Sequence, residues 1–175
     1  MRSLFCVLAL ALVIASPSGE ARVIPDPRQK PAPGNEARQT PIHQANYSPA
    51  VNYQLQCLGC HLTNGEGAPR SDIPMMKNFV GNFLKVEGGR EFLIQVPGAS
   101  QSALSNSQLA ELLNWMLKDG GIAGGSAPKG FEPYTEQEVE THRGIMIKDL
   151  PGYRLNLIKQ IKALNIDIPK DVTPY

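Results

Sequence analysis

The chain is poor in groups that hold metals or polyanions. Its 175 residues include three cysteines and three histidines. There is one C-x-x-C pair and no second, so a structural zinc site, which needs about four ligands, is not expected. Lys and Arg number 17 against 16 Asp and Glu, a net charge of +1. That balance gives no footing for nucleic acid or an acidic surface as partner. No apolar run approaches the ~20 residues a membrane-spanning helix needs, so no transmembrane anchor is expected. No β-branched run leads into the cysteine pair and a glycine-rich loop follows it, which argues against a thioredoxin-like redox disulfide between a strand and a helix.

What is present begins with an export signal. Arg2 precedes the apolar run Phe5–Ala15, and small residues follow, with cleavage sites after Ala15 or Ala21. Residues 1–21 read as a secretory signal peptide, which places the mature chain in the periplasm. Cys6 would leave with it, and Cys57 and Cys60 would remain. Residues 22–46 carry Pro25, Pro27, Pro31, Pro33 and Pro41 among polar residues, the composition of an extended linker.

The rest of the chain reads as all-α, rich in loops because of 16 glycines and 15 prolines. A helix over 50–56 runs into the cysteines, with Val51 and Leu55 on one face. Residues 62–74 read as an irregular loop, 75–84 as a short helix or turn, and 90–96 as a short helix stopped by Pro97-Gly98. Ser105 and Gln108 fit an S-x-x-Q capping box, and Leu109, Leu112, Leu113, Met116 and Leu117 form an apolar stripe. Gly120-Gly121 ends that helix. A glycine-rich linker at 121–130 leads to a helical extension at 131–175. There, Thr135 and Glu138 suggest one capped helix and Asp149 with Pro151 a second, with Leu157, Ile158, Ile161 and Leu164 on its apolar face.

Cys57-Leu58-Gly59-Cys60-His61 carries the chemistry. C-x-x-C-H is the attachment motif of a c-type haem, in which two thiols bond one porphyrin and the adjacent histidine reaches the iron. With a helix before it, the loop Asn64–Pro69 after it and Trp115 on a capped helix, residues 47–120 resemble a class I monohaem cytochrome c domain. The resemblance implies one covalently bound haem c, with Cys57 and Cys60 as thioethers and His61 as proximal ligand. It also implies a proline carbonyl, from Pro69 or Pro74, that accepts from the second imidazole nitrogen.

The family usually places its distal methionine in the loop before the last helix of the domain. Here that loop, Pro97–Leu104, has none. Met76 is the expected distal ligand, with Met75 and Met116 as alternatives and Met146 in the tail. A five-coordinate iron is the reading in which these methionines only pack. His43 and His142 read as solvated, Tyr53 and Trp115 as packing residues, and Arg90 as a surface arginine whose fork would also suit a haem propionate. The implied function is periplasmic electron transfer without substrate chemistry. Redox proteins, such as a periplasmic dehydrogenase or a terminal oxidase, are the implied partners. The alternatives are a cytochrome subunit of a dehydrogenase complex, or a haem enzyme or gas sensor with an open iron site.

Overall fold

The computed structural model describes residues 45–172. The expected signal peptide and His43 lie outside the described residues. Among those described there are helices and no strands, apart from a single bridge between Ala68 and Ile73. No described helix is long and apolar enough to cross a membrane.

The first helix, α1 (Pro49–Gln56), starts on a Ser48 cap with proline in its first turn. Its buried face differs from the one its aliphatic spacing suggests. Asn52 and Tyr53 are buried, while Leu55 is 52% exposed. The ring of Tyr53 decides this: it packs at 5.8 Å from Trp115 and its hydroxyl donates to the Leu62 carbonyl at 2.8 Å. A larger apolar body with a satisfied polar tip outcompetes two aliphatics for the interior.

A single turn, α2 (Leu58–His61), follows at once. A 3-10 turn over Val80–Lys85 brings Phe83 inward, and α3 (Gly89–Gln95) packs Phe92 against it at 5.0 Å between ring centroids. Pro97 does more than stop α3: it opens a four-residue helix, α4 (Pro97–Ser100), as proline at a first helical position can. The longer α5 (Asn106–Leu117) has both bonds of its capping box, Gln108 N–H to Ser105 Oγ at 3.0 Å and Ser105 N–H to Gln108 Oε1 at 2.9 Å. Leu109, Leu112, Leu113, Met116 and Leu117 are all buried, as the stripe requires.

The stretch expected as a loose linker is packed. Ile122 and Ala123 are buried, the Ile122 carbonyl accepts from Asn78 and the Met116 carbonyl from Ala123. The buried Ser126 hydroxyl accepts from Gly81 at 3.1 Å. Glycine suits position 81, because a Cβ there would collide with the backbone of Ala127.

Two tail helices then return to the core. In α6 (Glu136–Arg143), Thr135 caps Glu138, but the Glu138 carboxylate turns away to pair with Arg90, so only half of the expected box forms. Arg90 is thereby engaged: it also donates to the Glu132 carbonyl and lies 4.1 Å from the Tyr134 ring centroid. In α7 (Leu150–Ala163), Asp149 caps Gly152, and Leu157, Ile158 and Ile161 enter the same core as α5. Leu164 follows the last turn and is half exposed.

Arg143, at the end of α6, binds the connection between α4 and α5. It donates to the carbonyls of Ser100, Ser102 and Leu104 and to the side chains of Ser102 and Asn106, at 2.7–3.1 Å. Its planar fork serves several acceptors at once, which an ammonium on a single stem cannot.

Two stability changes are expected. Ile161→Ala should lower unfolding free energy by about 2–5 kcal/mol in denaturant titrations while keeping one transition. Arg143→Ala should lower it by roughly 1.5–3 kcal/mol, the scale of a hydrogen bond to a charged group, and Arg143→Lys should not restore it.

Candidate functional site

Two helical segments in direct succession set the site. Because α1 passes into α2 without an intervening loop, the backbone of Cys57 is hydrogen-bonded both ways. Its N–H donates to Tyr53, and its carbonyl accepts from His61 at 2.9 Å. This turn presents Cys57, Cys60 and His61 together. Both cysteines are free thiols, Cys57 half-buried and Cys60 exposed. Burial, then the neighbouring Cys60 charge, pushes the Cys57 thiol up to about 11.

The loop after the motif folds back under the imidazole. Gly67, at φ +72°, donates to the His61 carbonyl, and a Cβ there would stand 2.7 Å from the Pro74 carbonyl. Only glycine lets these two backbone segments lie so close. Gly65, also at positive φ, accepts from the N–H groups of Met76 and Lys77 at 2.7 and 2.9 Å. Glu66 ties the outer side, accepting from the Asn64 backbone and side chain at 2.9 and 2.8 Å; these bonds pull its carboxyl down to about 2.

His61 Nδ1 is buried and makes no hydrogen bond. Desolvation lowers the basicity of the ring, the Pro74 carbonyl raises it, and the Arg154 charge lowers it. The Pro74 carbonyl thus acts on the imidazole without completing hydrogen-bond geometry. Of the two prolines expected to serve the ring, Pro74 is the one beside it.

The imidazole and both thiols border a mainly apolar cavity of about 370 Å³. Phe83, Phe92, Leu109 and Leu113 form much of its wall. Met75, Met76 and Met116 all line it, so the structure gathers the three methionines singled out from sequence. Met146 is 82% exposed and borders a separate, open surface depression, and neither His142 nor Arg90 lines the cavity. Pro97, Gly98, Ala99 and Ser102, from the methionine-free loop, complete one side. Leu150 and Arg154 come from α7, and sequence reading missed both. A signal existed: Arg154 stands four residues before Ile158, on the face that enters the core.

No protein-family model matches the chain. Two curated proteins, each a cytochrome c-552 from Thermus thermophilus, are 34% identical to it over 106 residues. The match takes in 50% of this chain and 79% and 70% of theirs. The chain belongs to the class I monohaem c-type cytochromes. It carries one covalently bound haem c and works in electron transfer. The cavity of this cytochrome fits that group: two free thiols and an imidazole with an unpartnered buried nitrogen border an apolar space in one small chain.

The tyrosine that supports the motif gives an alkaline signature. Burial first, with the Glu66 charge adding to it, pushes Tyr53 up to about 12, and burial also raises Tyr134. A phenol in the unfolded chain titrates near 10. Its folded value being higher, the stabilisation is complete below about pH 10 and is lost as pH rises through about 12. Denaturant midpoints should therefore fall steeply across that window, and Tyr53→Phe should flatten the fall. A wild-type midpoint that stays level from pH 10 to 12 would contradict the burial of both phenols.

Proposed function

We propose that this cytochrome is exported to the periplasm and shuttles single electrons between redox proteins, through a haem bonded to Cys57 and Cys60 and bound by His61. The supporting observation is the constellation of a half-buried imidazole, whose buried Nδ1 makes no hydrogen bond, and two free thiols at the edge of one apolar cavity. The bound haem supplies a one-electron couple. The chain's own residues anchor it, orient the imidazole through the 65–76 loop, and keep water from most of it. Phe83, Phe92 and the α5 leucines provide the dry surroundings, where charge changes at a redox centre are felt strongly. No substrate chemistry is assigned.

Covalent anchoring suits a protein that works outside the cytoplasm, because the cofactor cannot be lost by dilution. Its partners are redox proteins, a periplasmic dehydrogenase or a terminal oxidase, met through small transient contacts. The apolar face of α7 is occupied by this chain's own core, which supports a freely diffusing carrier over a fixed subunit.

Met76 is the methionine assigned to the sixth position in the carrier reading. One observation favours a second reading, an iron with its sixth position open. Met75 and Met76 leave the chain directly after Pro74, whose carbonyl acts on His61, so their side chains start from the imidazole's side. Under His–Met ligation the oxidised protein shows a weak near-infrared band that Met76→Ala abolishes. Under an open site that band is absent, Met76→Ala and Met116→Ala change little, and ferrous protein binds carbon monoxide at once.

The anchoring itself is tested by substitution. Cys57→Ala with Cys60→Ala should yield protein whose haem is extracted by acidic organic solvent, whereas wild type retains it. His61→Ala should keep the thioethers and lose the low-spin spectrum. Retention of haem by the double cysteine variant would refute the assignment.

A further inference from the structure

One wall of the cavity is fastened from outside, by the tail. Pro97, Gly98, Ala99 and Ser102 line the cavity from α4 and the turn after it. This segment, residues 97–104, contains neither methionine nor histidine. It therefore lacks the thioether and imidazole groups that would tie it to a haem iron.

What ties it is the end of α6. Arg143 is half-buried there. Its Nε donates to the Ser100 carbonyl at 3.0 Å, and Nη1 to the Leu104 carbonyl at 2.7 Å and to Asn106 Oδ1 at 3.1 Å. Nη2 donates to the Ser102 carbonyl at 2.7 Å and to Ser102 Oγ at 3.1 Å. Ser102, itself part of the wall, is thus held at two atoms. On the flank toward α1, Gln56 accepts from the Ala103 N–H at 3.1 Å.

The opposite end of α6 is pinned too. Glu138 pairs with Arg90, and the Tyr134 hydroxyl donates to the Arg90 carbonyl at 2.9 Å. The backbone of Tyr134 exchanges two bonds with the Asn114 side chain, at 2.7 and 2.9 Å. Arg90 belongs to α3, which puts Phe92 and Leu93 into the same cavity wall. Between the two ends, Val139 is fully buried. So α6 is a strut that spans the wall, with α3 under one end and residues 100–106 under the other.

We infer that Arg143 is a positioning residue for electron transfer: from the tail it holds residues 97–104 as a closed wall, and thereby limits the water that reaches the haem and sets its midpoint potential. The inference rests on the haem occupying this cavity as proposed above. Reduction adds one electron and removes one unit of positive charge from the iron site, with no bond made or broken. Water admitted through a loosened wall favours the more positive, oxidised form and lowers the potential. The fork matters more than the charge. An ammonium on a single stem cannot serve Ser100, Ser102 and Leu104 together, so lysine should behave as a loss.

The test is the midpoint potential of holoprotein carrying Arg143→Lys or Arg143→Gln, with thermal melting measured on the same samples. Ile161→Ala is the comparison, because Ile161 is in the core and does not line the cavity. Lysine and glutamine each keep a donor near the segment, which guards against a variant that fails to fold. The expected result is a lower potential in both Arg143 variants and a potential near wild type in Ile161→Ala, although all three melt earlier. An unchanged potential in Lys and Gln would overturn the inference and leave Arg143 a residue of stability alone. A fall in Gln with none in Lys would overturn it as well, because charge rather than the wall would then be at work. So would an equal fall in Ile161→Ala at a like loss of melting temperature, since any loosening of the core would then suffice. Failure of the reading beneath it looks different: haem attachment would survive loss of both Cys57 and Cys60, and the inference would fall with it.

Discussion

Tyr53 is the point where two helices and the site loop are fastened together. Its ring packs against Trp115 on α5, and its hydroxyl holds the Leu62 carbonyl just past His61. The next helical turn carries both thiols and the imidazole, so their orientation follows from how α1 crosses α5. Burial of an aromatic body with a satisfied polar tip gives both grip and direction. Were the helix to seat on Val51 and Leu55 instead, Cys57 and His61 would turn with it and leave the cavity edge.

The second layer of control is backbone against backbone. Gly65 and Gly67 hold conformations and approaches that side chains would forbid, and the loop they allow carries Pro74 to the imidazole. Backbone hydrogen bonds from Gly67 to His61, between Ala68 and Ile73, and from Met76 and Lys77 to Gly65 hold this irregular loop in place. Glu66 and Asn64 fasten its outer edge by short hydrogen bonds, so both flanks of the turn are fixed.

Much of this was legible in the residues. The C-x-x-C-H spacing is local chemistry, and the capping box at Ser105 with the leucine stripe behind it is local geometry; the box and the stripe formed as written. The Thr135 box half formed because Glu138 found a guanidinium, a long-range competitor that no local pattern contains. The face of α1 was misjudged because four-residue spacing weighs Leu55 and Val51 equally with an aromatic. The glycine-rich stretch 121–130 looked loose because composition does not reveal Ser126 meeting Gly81. Arg154 was passed over for the same reason: a charged residue on an apolar face acquires meaning only when the wall it enters is known.

The walls of the cavity are contributed by segments from Gln56 to Arg154, so it is assembled in the order of synthesis, with the α7 side last. On the function proposed above, anchoring thiols near one end of that span and a closing wall near the other separate two properties that a non-covalent pigment would merge. Trimming of the chain before Leu150 would keep Cys57, Cys60 and His61 in the chain while taking away the α7 wall and the core residues Leu157, Ile158 and Ile161, and so open the cavity to water. For this cytochrome, then, keeping the pigment and keeping it dry are separable tasks, and a clipped molecule would remain coloured with its iron in altered surroundings.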